Sequence, residues 1–248
     1  MSKKKVVLVI QARMNSSRFP NKSMSDLCGA PLIERIIQRV KKAKKIGKII
    51  LATTKRKDDD VLVKIGKSYK IDVFRGSEND LVDRYYQSIR KRNFNHILRL
   101  PGDNPIPDPI EYDRLIEYHL KTDNDFSSNI CNFMNNGYPD GIGVEIFTVN
   151  SLRKIWKEEK RKKYREHIHL NYYDYQKDKK NKKNNFKIGT IKCPIKKSRP
   201  KLIFDINYYE DYLFIKKIYE YFIPKKTYFS TNDVINWYDK EYNKKELN

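Results

Sequence analysis

The segment Val6-Val7-Leu8-Val9-Ile10-Gln11-Ala12-Arg13-Met14-Asn15-Ser16-Ser17-Arg18-Phe19-Pro20-Asn21-Lys22 decides how this chain is read. Five consecutive apolar residues, mostly β-branched, have the length and composition of a strand buried on both faces, as in a parallel sheet. The polar run that follows, Gln11 to Ala30, is too long for an ordinary strand-to-helix loop and is a candidate functional loop. Pro31 can open a helix with Leu32, Ile33, Ile36, Ile37, Val40 and Ala43 on one face. Alternation continues with strands at Lys48–Thr53, Ile71–Phe74 and His96–Leu100, and helices at Asp59–Tyr69, Asp80–Arg92 and Ile110–Leu120. Strands alternating with helices argue for an α/β fold with a doubly wound sheet. In such folds ligands sit beyond the carboxyl ends of the strands.

The later chain gives expected strands at Phe126–Asn129, Val144–Val149, Phe186–Cys193 and Lys201–Asp205. A helix capped by Ser151 runs through Lys163, and another spans Tyr208–Phe222. Asn171 to Asn185, polar and lysine-rich, reads as a mobile connection. The domain is expected over residues 1–222, with a C-terminal helical tail over 223–248 that includes Thr231–Tyr238.

Composition sets outer bounds. The chain has 248 residues, enough for a substantial core, and 39% are hydrophobic, which argues against disorder despite 34% charged residues. No apolar run reaches the roughly 20 residues that span a bilayer, and the start is too short for a secretory signal. The three cysteines, Cys28, Cys131 and Cys193, are far apart and form no zinc or disulfide pattern. The expectation is a soluble cytoplasmic protein with no membrane partner. The net charge of +22 suggests nucleic acid, but 19 Lys/Arg against 5 Asp/Glu fall between Ser151 and Lys201, outside the candidate loop. That stretch reads as a solvated lysine surface. A nucleic-acid-binding protein would show a steep salt dependence, but that reading leaves the following residues without a purpose.

Arg13, Arg18 and Lys22 place three cations just past a buried strand, as a polyphosphate requires. The loop is neither a Walker A motif nor a G-x-G-x-x-G turn. Asp103, in Leu100-Pro101-Gly102-Asp103-Asn104-Pro105, and Asp205, after Leu202-Ile203-Phe204, each end a strand. Two such carboxylates could share one Mg²⁺, which takes few protein ligands plus phosphate oxygens. His169, two residues after His167, lacks a third ligand at zinc spacing.

Together, Ile10–Arg13, Ser17–Lys22, Gly29-Ala30-Pro31-Leu32, Phe74–Tyr86, Arg99–Pro105, Tyr138–Gly141, Val144-Glu145, Arg165-Glu166-His167 and Phe204-Asp205 resemble the cytidylyltransferases of CMP-sugar synthesis. These are the CMP-KDO synthetases and acylneuraminate cytidylyltransferases, and the pattern is nearest to the SpsF-like spore-coat polysaccharide branch. The resemblance implies a three-layer α/β/α Rossmann-like nucleotide-diphospho-sugar transferase fold with a mostly parallel mixed sheet, and a Mg²⁺-dependent enzyme in which a hydroxyl of an acidic 2-keto sugar attacks the α-phosphorus of CTP and pyrophosphate leaves. It implies catalytic roles for Arg13, Lys22 and Asp103, and nucleotide contacts from Ala12, Arg13, Ser17, Arg18, Lys22, Arg75, Gly76, Ser77 and Asp103. It implies metal binding by Asp103 and Asp205. On the sugar side it implies Tyr138, Asp140, Glu145, Arg165, Glu166 and His167, with Arg165 meeting the carboxylate. It further implies a homodimer to which segment 138–200 contributes. Asn15 and Pro101 depart from the family pattern, where Gly and a polar residue are usual. The departure at Pro101 leaves open a same-fold enzyme using another NTP or a non-sugar acceptor.

Overall fold

The computed structural model describes residues 6–242. Its seven-stranded sheet has the order β3-β2-β1-β4-β6-β5-β9. The strands are β1 (Val6–Gln11), β2 (Lys48–Thr54), β3 (Asp72–Gly76), β4 (His96–Pro101), β5 (Phe126–Ser128), β6 (Glu145–Thr148) and β9 (Ile188–Gly189). The first four are mutually parallel, β6 runs antiparallel between β4 and β5, and β9 is parallel to β5. A two-stranded hairpin, β7 (Tyr173–Asp174) and β8 (Lys179–Lys180), lies outside this sheet.

Alternation along β1 explains the layers. Leu8 and Ile10 face a core built with α1 (Leu32–Val40), α4 (Pro109–Thr122), α7 (Tyr209–Phe222) and α8 (Thr231–Trp237). Val7 and Val9 face a second core with α3 (Leu81–Ile89) and α5 (Val149–Glu158). Every β1 residue from Val6 to Ile10 is buried, so the unbroken apolar run is what a strand between two helical layers demands. On α1, Leu32, Ile33, Ile36, Ile37 and Val40 are all fully buried, each contributing about 1.5–3 kcal/mol by transfer from water. The helix α2 (Asp60–Ser68) packs beside β2 and β3. No helix among the described residues is long and apolar enough to cross a membrane.

The first half matches the sequence expectations closely; the second half departs from them at several places. The cap of α5 is Thr148, whose hydroxyl accepts from Ser151 N at 3.1 Å. That helix stops at Glu158 because buried Glu159 captures Arg161 at its backbone and guanidinium, and a separate short helix, α6 (Lys162–Glu166), follows. The expected mobile connection is anchored instead. Tyr172 stacks on Phe126 at 4.5 Å and shares a hydrogen bond of 2.8 Å with Ser151, and Tyr173 is buried. Of Phe186–Cys193 only Ile188 and Gly189 pair with the sheet. Lys201–Asp205 makes a single bridge, Ile203 with Asp140, rather than a sheet strand. Of the expected tail, Val234, Ile235 and Trp237 join the core that contains Leu8 and Ile10. Expected tail residues 243–248 lie outside the described part.

Nor is the lysine-rich stretch wholly solvated. Lys197 is buried, its ammonium 2.7 Å from Asp108 and 2.8 Å from Glu111. Removing one partner of a buried ion pair leaves uncompensated charge behind. We predict that Lys197→Met lowers unfolding stability by about 3–5 kcal/mol. An unchanged urea midpoint for that variant would show that the pair carries no such weight.

Candidate functional site

The strand order reverses between β1 and β4, which leave the sheet side by side: Gln11 lies opposite Pro101. A crevice opens at such a reversal. Gly102 makes the close approach possible, since a Cβ there would fall 2.7 Å from the carbonyl oxygen of Gln11, which instead accepts from Gly102 N at 2.8 Å. Above this junction lies a cavity of about 770 Å³.

The loop after β1 is held from below by a residue the sequence reading gave no role. Asp59 is fully buried and accepts from Met14 N (2.8 Å), Thr53 Oγ1 (2.8 Å), Thr54 N (3.0 Å) and the Thr54 hydroxyl. Burial alone would raise its pKa, but these donors outweigh it and hold the carboxyl below its ordinary range. The loop then bends back through Asn21, in the left-handed region at φ 59°, into the short turn Lys22–Met24. Farther out, Phe19 packs on Tyr209 and Tyr212 of α7, and the Arg18 guanidinium lies 5.4 Å over the Tyr208 ring.

Lys22 is buried, with its ammonium 3.0 Å from Asp103 Oδ2 and 2.7 Å from the Ile206 carbonyl. The 202–206 segment is tied to the same place: Ile206 N donates to Asp103 O (2.8 Å), and Phe204 N to Asp140 O (3.1 Å). Gly141, at φ 81°, would put a Cβ 2.5 Å from Asp205 N, so only glycine lets these segments meet. Asp103, Asp140 and Asp205 thus converge, although 102 residues of chain separate the first from the last.

Of the residues expected at the site, Ala12, Arg13, Ser17, Arg18, Lys22, Asp103, Asp140, Glu166, His167 and Asp205 line this cavity. Arg75, Gly76 and Ser77 line a neighbouring cavity of about 750 Å³. There the Arg75 guanidinium is engaged by Asp60 and by the carbonyls of Thr54 and Arg56. Tyr138 is buried away from the cavity, with its hydroxyl on Glu111. Arg165 is held by Asp80 (2.6 Å) and the carbonyls of Trp156 (3.1 Å) and Glu159 (2.8 Å), tying α6 to α3 and α5 instead of facing the cavity. Glu145 is fully buried under the floor, 2.6 Å from Arg99 and 2.7 Å from the Tyr175 hydroxyl. Its burial raises the pKa, while the Arg99 charge and these hydrogen bonds pull it below the usual carboxylate range.

Sequence reasoning missed Arg84, Arg99, Lys163, His169 and Tyr175, all on the cavity wall. Arg99 was detectable as a cation inside an otherwise apolar strand. Tyr175 sat in the stretch read as mobile. Burial lowers the His169 pKa to about 4 against the opposing pull of Glu145, so the ring is neutral at neutral pH.

A family model described as cytidylyltransferase matches residues 7–241. The chain belongs to the cytidylyltransferase family. It is 37% identical over 164 residues to an uncharacterized protein of Methanocaldococcus jannaschii, covering 66% of this chain and 65% of that one. It is 29% identical over 220 residues to the spore coat polysaccharide biosynthesis protein SpsF of Bacillus subtilis, covering 87% and 86%. A 3-deoxy-manno-octulosonate cytidylyltransferase of Trichlorobacter lovleyi is 30% identical over 116 residues, 46% of this chain and 45% of the relative. The first and third matches therefore span less than two thirds of those relatives' lengths. A solved cytidylyltransferase from Leptospira borgpetersenii superposes with a TM-score of 0.83 at 29% identity, covering 96% and 95% of the two chains.

Asp205 Oδ1 is buried without a hydrogen-bond partner. Burial, with the charges of Asp140 and Asp103, pushes the Asp205 pKa up to about 6; burial likewise raises Asp140, and Asp103 adds to it. Carboxylates gathered against their own repulsion, with an orphaned oxygen, fit a hard cation. No set of three or more His, Cys, Asp or Glu side chains forms a metal cage among the described residues.

The raised Asp205 pKa has a consequence in metal-free buffer. The unfolded chain loses this proton near pH 4 and the folded chain near 6, so the folded state binds more protons between them. Stability from this group therefore falls as pH rises through that window. We predict that Asp205→Asn gains about 1–2 kcal/mol relative to the parent between pH 4 and 6, measured by urea unfolding with chelator. Parallel pH profiles would refute it.

Proposed function

We propose that this cytidylyltransferase transfers CMP from CTP to a hydroxyl of an acidic 2-keto sugar and releases pyrophosphate. The carrying observation is the convergence of Arg13, Arg18 and Lys22 with Asp103, Asp140 and Asp205 on one cavity at the β1/β4 junction. Cations alone would suit any anion, and carboxylates alone would repel a triphosphate. The two sets together suit a triphosphate carried with a divalent cation.

The roles follow from placement. Arg13 and Arg18 sit on the loop edge and hold the triphosphate. Lys22 uses two of its three ammonium donors on Asp103 and Ile206 O, which fixes the third for a phosphate oxygen and for the charge developing on departing pyrophosphate. Asp103 and Asp205 would hold Mg²⁺. When bound, the ion neutralises phosphate charge and orients the attacking hydroxyl. Alignment of the hydroxyl with the α-phosphorus then supplies much of the acceleration, and no histidine base is needed.

The acceptor enters beneath α6 and the β7–β8 hairpin, where Lys163, Glu166, His167 and Gln176 line the wall. Because Arg165 is held by Asp80, the sugar carboxylate is assigned to Lys163 and His167. Arg165 serves by fixing α6, the helix that carries Lys163 and Glu166. A same-fold enzyme with a different nucleotide is favoured only by Pro101, which has no backbone donor to offer a base.

Pyrophosphate release from each of the four NTPs, with a panel of 2-keto sugar acids and Mg²⁺, tests the proposal. We expect release from CTP that depends on one of these acids. Equal release from another NTP, or release indifferent to the acceptor, would reject it. Asp103→Asn, which keeps an amide oxygen that can accept from Lys22, should lower turnover by about 10²- to 10³-fold while the variant still unfolds in one cooperative transition. Near-normal turnover would remove Asp103 from the site.

A further inference from the structure

The loop that carries Arg13, Arg18 and Lys22 is fastened unequally along its length. Its inner part is tied by charged hydrogen bonds: Asp59 accepts from Met14 N at 2.8 Å, and the Lys22 ammonium reaches Asp103 and the Ile206 carbonyl. Its tip packs on aromatic rings instead. Phe19 meets Tyr209 edge-on at 5.7 Å and Tyr212 at 5.7 Å, and the Tyr212 hydroxyl donates to Asp26 O at 2.8 Å.

Arg18 depends on this tip. Arg13 donates to Glu78 O at 3.3 Å, whereas among the described residues the exposed Arg18 guanidinium has no hydrogen bond or ion pair, and it lies over the Tyr208 ring at 5.4 Å. The Tyr208 ring is 52% exposed and belongs to neither core. Its backbone, by contrast, is fixed: Tyr208 N and Asn207 N donate to Asp211 Oδ2 at 2.8 and 2.9 Å, and the Asn207 amide donates to Asp205 Oδ2 at 2.6 Å. One short turn thus joins Asp205, on the cavity wall, to the ring that backs Arg18.

The kind of partner matters. A carboxylate would hold a guanidinium more firmly but would compete with an incoming phosphate, as Asp60 and Asp80 do for Arg75 and Arg165. A ring face orients the cation and leaves all its N–H donors free. An unsupported surface arginine must give up rotamer freedom when a ligand fixes it, and the ring offsets part of that cost in advance. We infer that Tyr208 is a positioning residue, which holds the Arg18 guanidinium at the cavity edge in the pose that receives the triphosphate. The inference rests on the reading of Arg18 as a triphosphate ligand.

Calorimetric binding of CTP with Mg²⁺ to the full chain, run as a double-mutant cycle, tests it. Arg18→Ala should weaken CTP by about 10-fold or more, and Tyr208→Leu by about 2- to 5-fold. Tyr208→Phe, which keeps the ring, should bind as the parent does. In the Arg18→Ala background, Tyr208→Leu should have no further effect, and pyrophosphate should follow the same pattern. Each Tyr208 replacement retains the backbone N–H that Asp211 accepts and removes little buried surface. A Tyr208→Leu loss that persists without Arg18 would mark a direct contact or a distorted site and overturn the inference. So would an equal loss in Tyr208→Phe. A loss in Arg18→Ala with none in Tyr208→Leu would overturn the positioning role alone, whereas no loss in Arg18→Ala would remove Arg18 from the triphosphate and the inference with it. The expected pattern in a protein that releases no pyrophosphate would defeat the transferase reading and leave the role of Tyr208 standing.

Discussion

The side-by-side exit of β1 and β4 is the constraint on which the site depends. Two parallel strands whose connections run in opposite directions cannot close over their own carboxyl ends, so a crevice must form there. Gly102 brings the two strand ends into hydrogen-bonding contact with Gln11. The first strand delivers the cationic loop and the fourth delivers Asp103. The contact between Lys22 and Asp103 is the point where these contributions join.

Around that junction the protein spends buried charge freely, and each instance has a local partner. Asp59 fastens the loop at Met14, Arg99 and Glu145 form the floor, and Lys197 joins the late segment to the start of α4. Such groups would be costly if unpaired, so each fixes one arrangement of segments far apart in sequence. The exceptions lie in the cavity itself. Arg84 and Asp205 keep unmet hydrogen-bonding capacity where a ligand can supply what the protein does not.

Much of the fold was legible because its signals are local. The apolar run Val6–Ile10, the helical spacing after Pro31 and the strand end at Pro101 all follow from periodicity and turn chemistry. The later half was less legible for a physical reason. Its tyrosines at 172, 173 and 175 look polar and loop-like in a lysine-rich context, yet their rings pack into the second core and the hydroxyls of Tyr172 and Tyr175 find buried partners. Similarly, the motif Arg165-Glu166-His167 is contiguous, but on the short helix α6 its side chains diverge. Glu166 and His167 line the cavity while Arg165 binds Asp80.

By itself, the sequence determined the layered α/β architecture, the cationic loop and the aspartate that follows β4, because each is written in residues a few positions apart. Only the tertiary structure decided which charges are free to meet a ligand. Pairing depends on neighbours from distant segments: Arg75 and Arg165 look as available in sequence as Arg13, and Asp60 and Asp80 take them out of play. Arg84, unremarkable in its helix, is left without such a partner by the same packing.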